Sequence, residues 1–296
     1  MVLVLAFLHL FAPATVAAVF VVPLLYLIYL YEVEIYESEP WVVIGLTMAT
    51  GVVLGFLFTY VTGSMLAPLL ATDDTETAFV LTGITIPIVG QALMLLGPLF
   101  LYSLRPRFRE PLDGLSFGAA SALGFTLASS LTAFWPLITG PLVATGQPLD
   151  WALRLARAGL LVSVINASTT GLIAAALWVH RYDRRRANRA WQSGILASVV
   201  VAFGVQIALG LLESAIQDLT IQVVVAAIAA VGLLLYVRLV IHQALLVEGA
   251  EHEIGPDSAC PECHRIVPTM AFCPACGAAR AAASKQGRRA NVGGAA

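Results

Sequence analysis

The chain has 296 residues, 59% of them apolar and only 11% charged, with a mean hydropathy of +0.88. Soluble domains carry roughly 25% charged residues, so the composition excludes an ordinary soluble domain and fits an all-α, polytopic membrane helical bundle. A formal net charge of -2 marks no acidic or basic partner; the placement of the charges is what informs.

Stretches poor in charge and long enough to cross a ~30 Å hydrocarbon core, at ~20 residues each, recur about seven times. In chain order they fall near 11–31, 41–61, 78–104, 115–139, 155–180, 191–212 and 219–241. The first apolar run lacks a basic leader and an A-x-A cleavage site, which favours a retained span over a cleaved signal peptide. Polar punctuation separates the spans: an acidic segment from Glu32 to Pro40, a short polar one from Thr72 to Thr77, and a segment from Arg105 to Gly114 with three arginines. Further on come a Gly/Pro loop from Gly140 to Asp150, five arginines between Arg181 and Arg189, and a polar turn from Glu213 to Asp218.

The positive-inside rule counts Lys and Arg flanking the spans. With seven spans, both arginine clusters and the basic tail share one side, and only Arg154 and Arg157 fall on the other. The expected protein lies in the plasma membrane with its N-terminus outside and its C-terminus in the cytosol. Trp41, Trp135, Trp151, Trp178 and Trp191 sit near span ends, where interfacial aromatics belong. Asp113-Gly114 is placed to cap the fourth span, because a carboxylate accepts the free N–H groups of a helix start. Gly51-x-x-x-Gly55, Gly118-x-x-x-Ala122 and Ala120-x-x-x-Gly124 allow close helix approach and argue for packing rather than a particular dimer. The Arg181–Arg189 cluster suits anionic lipid head groups as well as topology marking.

All four cysteines lie in the tail, as Cys260-Pro-Glu-Cys263 and Cys273-Pro-Ala-Cys276-Gly277. Two C-P-x-C turns nine residues apart form a four-thiolate set of the kind that holds one structural zinc ion tetrahedrally, against the alternative of a redox pair. His264 could substitute as a ligand, but four cysteines leave it no necessary role. Persisting thiolates agree with a cytosolic tail. The expected organisation is a bundle over 1–245, a linker over 246–257, a zinc ribbon over 258–279 that metal would fold, and a disordered basic tail over 280–296. Few basic residues and no interleaved aromatics surround the cysteines, so protein is the expected partner of the ribbon rather than nucleic acid.

Three stretches resemble the PrsW family of intramembrane metalloproteases. Glu34-Ile35-Tyr36-Glu37-Ser38-Glu39-Pro40 is similar to the family's D-R-Y-E-x-E-P junction. Glu110-Pro111-Leu112-Asp113-Gly114, running through Phe117-Gly118-Ala119-Ala120 to Leu123-Gly124-Phe125, resembles its E-P-x-D-G-x-x-Y-G-A-A…L-G-F entry into a span. Ala167 to Gly171 stands where the family has its histidine motif followed by Thr and Gly. The resemblance implies catalysis by a Glu-Glu pair in Glu-Glu-x-x-Arg/Lys, a Phe-x-x-x-Glu and a His-x-x-x-Asp motif. Here those positions are Gly90, Gln91 and Met94, then Ser129 after Phe125, then Asn166 followed by Thr170.

Water activation by a metal needs about three N/O/S ligands and an acid/base carboxylate. In this reading no Asp, Glu or His falls near a bilayer midplane; Gln91, Ser129, Asn166 and Gln206 are the mid-span polar groups. They serve interhelical hydrogen bonding, and Gln91, Ser129 and Asn166 are further expected to converge as the relic of a catalytic centre. Glu32, Glu34, Glu37 and Glu39 with Tyr36 could hold a cation or partner, or form a solvated turn. The expectation is a non-catalytic PrsW-like protein that binds membrane lipid and another membrane protein, with no small-molecule substrate evident. The alternatives are a working protease that recruits Glu37, Glu39, Asp113 or a terminal His, and a transporter or channel component, for which Pro87 and Gly90 in span three are the only hint of a broken helix.

Overall fold

In the computed structural model the described residues are 5, 8, 10–34, 41–71, 75–104, 111–139, 148–183, 192–249, 255–269, 273, 275 and 276. The chain divides into two compact units, Met1–Ile241 and His242–Ala296. The helices of the first are α1 (Phe11–Glu34), α2 (Trp41–Ala71), α3 (Thr75–Val80) and α4 (Ile86–Ser103). Then come α5 (Pro111–Ala133), α6 (Trp135–Ile138), α7 (Pro148–Leu155), α8 (Val162–Asp183), α9 (Gln192–Ala215) and α10 (Leu219–Gly249), the last crossing the boundary between the units. Two π-helical turns, π1 (Leu81–Thr85) and π2 (Ala156–Leu161), join α3 to α4 and α7 to α8, so each pair runs as one span.

Among the described residues six helical segments are long and apolar enough to cross a membrane: Val42–Leu66, Glu76–Ser103, Asp113–Ala133, Leu149–His180, Gly194–Ala215 and Leu219–Ile241. The first apolar helix, expected as a seventh span, offers a shorter apolar stretch, Ala12–Ile28, among the described residues. The protein is therefore a multi-pass all-α bundle.

Small residues explain why α5 is the central helix, packed against α2 on one face and α8 on the other. A Cβ at Gly124 would lie 2.1 Å from the Met48 carbonyl oxygen, and one at Gly51 would lie 2.1 Å from that of Ser121. Only glycine permits backbones so close, and closeness is what drives association in lipid, where burying a larger apolar side chain gains little. The spacing 51/55 thus joins two helices of one chain. Around this axis Phe117, Ala120, Trp178 and Ile44 form one apolar cluster, and Ile165, Leu172, Ala226 and Leu233 form another.

The structure departs from several expectations. Trp178, expected at the interface, is 1% exposed and packs edge-on against Tyr102 and Phe117; its Nε1 has no hydrogen-bond partner among the described residues. Asp113 lies in the first turn of its helix rather than ahead of it. The helix begins at Pro111, where a missing N–H costs nothing, so Asp113 sits buried in the first turn, still favourably placed toward the helix dipole. The fifth span starts at Leu149, within the helix that begins at Pro148, rather than at Leu155. Glu37, Glu39, the cluster at 184–189 and the tail from 277 lie outside the described residues.

Pro87 accounts for π1. It has no N–H to give the Gly83 carbonyl, and the turn before it widens so that the Ile86 N–H reaches back five residues to Leu81. In π2 the Val162 N–H reaches Arg157 in the same way. Gly159 in that turn lets it close on α1, where a Cβ would lie 2.6 Å from the Ala18 carbonyl oxygen.

In the second unit, β1 (Gly255–Ala259) and β2 (Ile266–Thr269) pair antiparallel, with Ala259 opposite Ile266 and Ser258 opposite Val267. A register shift lies between Gly255 and Ser258.

Candidate functional site

A partly open cavity of about 250 Å³ lies among α4, α5, α8 and α9. Gly90, Gln91 and Met94 of α4, Ser129 of α5, Asn166 of α8 and Gln206 of α9 all line it. Positions that the sequence separates by up to 116 residues thus share one chamber. A Cβ at Gly90 would meet nothing nearer than the Phe58 ring at 3.5 Å.

Hydrogen bonds among the polar side chains cross four helices. Gln91 donates through Nε2 to Thr170 Oγ1 at 3.2 Å and accepts at Oε1 from the Thr169 hydroxyl at 3.0 Å. The Gln206 amide donates to Gln91 Oε1 at 3.2 Å and to Asn166 Oδ1 at 2.8 Å, and approaches Thr169 Oγ1 at 3.3 Å. Asn166 Nδ2 donates to Thr126 Oγ1 at 2.9 Å. Gln91, Thr169 and Thr170 are fully buried. Pairing of these fully buried groups matters, because a polar group in hydrocarbon without a partner costs several kcal/mol.

Gln91 and Asn166 therefore meet through Gln206 and Thr169. Ser129 lines the same chamber, but its hydroxyl donates to the Thr126 carbonyl at 3.1 Å on its own helix. Sequence reasoning named Gln206 without giving it a centre, and it missed Thr126 and Thr169 because isolated threonines in spans usually bond their own backbone.

It also missed the rim. Arg157, in π2, makes an ion pair with Glu213 near the end of α9 and donates through Nη1 to Gln222 Oε1 at 2.8 Å. Gln222 in turn donates to the Ile216 carbonyl at 2.5 Å. All three residues line the cavity. In sequence Arg157 and Glu213 read as span-end charges; the bundle brings them together because α8, α9 and α10 meet at that end. Asp113 is far away: it precedes Ser129 by sixteen residues on α5, ~24 Å at 1.5 Å per residue.

The second site is the thiolate cluster. The sulfurs of Cys260, Cys263, Cys273 and Cys276 all lie within 4.8 Å of one another, with 3.8 Å between Cys260 and Cys276 and between Cys263 and Cys273. All four are free thiols. A tetrahedron with metal–sulfur bonds of ~2.3 Å has edges of ~3.8 Å, so the set fits one metal ion in a closed, four-ligand geometry. The turn is built by local hydrogen bonds: the Cys260 N–H donates to the Arg265 carbonyl at 2.8 Å, and the His264 N–H to the Cys260 carbonyl at 2.9 Å. His264 itself is exposed and carries φ 57°, completing the turn rather than joining the ligands. Backbone N–H groups of Cys263 and then Glu262 aimed at the Cys260 sulfur lower its pKa from the usual 9.0 to about 6. The thiolate is thus the prevailing form at neutral pH, as a metal ligand must be. Among the described residues this is the only group of three or more His, Cys, Asp or Glu placed to hold a metal.

Fold and sites together define a polytopic helical membrane protein with a buried polar chamber and a separate four-thiolate module. The sequence profile of the PrsW family intramembrane metalloproteases matches residues 39–241, and the chain belongs to that family. No curated protein and no solved structure matches the chain.

Proposed function

We propose that this PrsW-family protein is non-catalytic: a plasma-membrane protein that binds another membrane protein or substrate and presents a cytosolic zinc ribbon as a docking module. One observation carries the reading. The positions where the family resemblance calls for two glutamates, a third glutamate and a histidine are Gly90, Gln91, Ser129 and Asn166, and all four line the one chamber. Carboxamides and a hydroxyl cannot take up a proton near neutral pH and are weak ligands for a catalytic divalent ion, so this donor set does not fit the family's metal. Their mutual hydrogen bonds support a structural and binding role. The closed four-sulfur set supports one structural zinc ion, with no open position for water.

The test uses the full-length protein in mild detergent. The expected result is one zinc per chain, co-purification of a membrane partner, and loss of that partner with Cys260→Ser. A partner-free monomer whose interactions are indifferent to Cys260→Ser would refute the proposal. A second reading has one observation behind it: Glu213 is the only acidic residue among the described residues lining the chamber. A protease with a non-standard centre would cleave a membrane substrate and lose that activity in Glu213→Gln. The ion pair with Arg157 disfavours it, because it stabilises the carboxylate against accepting a proton.

A further inference from the structure

We infer that the chamber is a binding site for the uncharged amide or hydroxyl head of a small amphiphile, admitted past the Arg157–Glu213–Gln222 clasp. The inference rests on reading the chamber as a place that binds rather than reacts.

Size sets the first limit. About 250 Å³ lies at the small end of the range for small-molecule pockets, so a head group and a short chain fit and a helix ~10 Å across does not. Charge sets the second. The inner wall offers Gln91, Asn166, Gln206 and Ser129, with no formal charge, and the two charges at the rim neutralise each other. An ionic guest would lose its hydration without gaining a counter-ion, whereas a neutral one keeps its hydrogen bonds.

The open valences set the third. Gln206 uses only its amide N–H groups in the network, leaving its Oε1 as an acceptor without a partner among the described residues. Asn166 spends one of its two N–H groups on Thr126. A guest that both donates and accepts, as an amide or alcohol does, matches both. Phe58, Phe125, Ile86 and Leu209 give the remaining wall an apolar character suited to a short chain.

The rim has the build of a gate. Arg157 lies in one π-helical turn, Thr82 of the lining lies in the other, and Ile86 and Val162 follow directly after them. Two widened turns bordering one chamber are unusual, since single π-turns in otherwise regular helices concentrate at functional sites. Arg157 ties α9 and α10 to π2 through side chains alone, and Glu213 is 48% exposed, so the clasp can release without unfolding a helix.

The four native cysteines are all in the tail, so one thiol placed in the bundle reports on the chamber. Ser129→Cys in the zinc-loaded full-length protein is treated with three methanethiosulfonates: methyl, sulfonatoethyl and trimethylammonioethyl. Wild type supplies the tail baseline, and Val200→Cys, on the lipid-facing surface, supplies a control. The neutral reagent is expected to react at least about tenfold faster than either ion, a difference of ~1.4 kcal/mol or more. Octanamide and octanol should slow it, octanoate should not, and Glu213→Gln should speed it several-fold. Leu209→Cys repeats the measurement from another wall and decides the matter if Ser129→Cys does not fold.

Equal rates for charged and neutral reagents would show an open aqueous channel and overturn the inference. So would labelling no faster than at Val200→Cys, or equal protection by octanoate. Those failures leave the non-catalytic reading standing; cleavage of a membrane substrate, abolished by Glu213→Gln, would instead remove that reading.

Discussion

Replacing Gln91 with leucine isolates the energy of the buried amide network. The substitution keeps the volume of a fully buried side chain and deletes three interhelical hydrogen bonds, to Thr170, Thr169 and Gln206. Such bonds average ~0.6 kcal/mol in membrane bundles, so the expected loss is ~2 kcal/mol. The partners are not stranded, which keeps the loss from growing. Thr169 can turn its one hydroxyl proton fully to the Ile165 carbonyl at 2.9 Å, and Gln206 still donates to Asn166. Leucine recovers little through burial, because the unfolded span faces lipid as apolar as the bundle interior. The assay is unfolding in mixed micelles with rising SDS, followed by tryptophan fluorescence. Combining Gln91→Leu with Gln206→Leu should give less than the sum of the single losses, by about the one shared bond. A Gln91→Leu protein within ~0.5 kcal/mol of wild type, or strict additivity of the pair, would refute the network as a source of stability.

Three further predictions concern packing and the thiolate module. Gly124→Ala drives a methyl against the Met48 carbonyl and should lower stability by ~2 kcal/mol or more, whereas Gly204→Ala and Gly232→Ala, with nothing within 4 Å, should stay within ~0.5 kcal/mol in the same micelle assay. A depressed Cys260 pKa stabilises the folded module above the usual value of 9.0, and that contribution is lost as pH falls through about 6. Bound metal measured by a chromophoric chelator should therefore be retained at pH 7 and released as pH drops through and below that point; Cys260→Ser should release it already at pH 7, and release independent of pH would contradict the assignment. His264→Gly removes a side chain from a left-handed backbone and should strengthen metal retention, by ~0.5–1 kcal/mol in competition with a chelator, whereas a ligand role for His264 predicts weaker retention.

The sequence by itself determined the six spans between residues 41 and 241 and the four-sulfur motif, because both are local. Hydropathy adds residue by residue along a window, and two C-P-x-C turns nine residues apart bring four thiols together through their own loops. The family was legible for the same reason, since its junction motifs mark span ends. The direction each helix faces was not legible. A lipid-embedded helix is apolar all round, so no periodic stripe distinguishes its buried side from its exposed one. Tertiary structure alone decided that Trp178 turns inward, that Gly51 and Gly124 seat helices of the same chain, and that Arg157 finds Glu213. It likewise decided that Gln91, Asn166 and Gln206 share one chamber with Thr169. Where lipid cannot hydrogen-bond, a buried polar side chain is costly unless it finds a partner on another helix or on its own backbone, and which partner it finds depends on how the helices pack together.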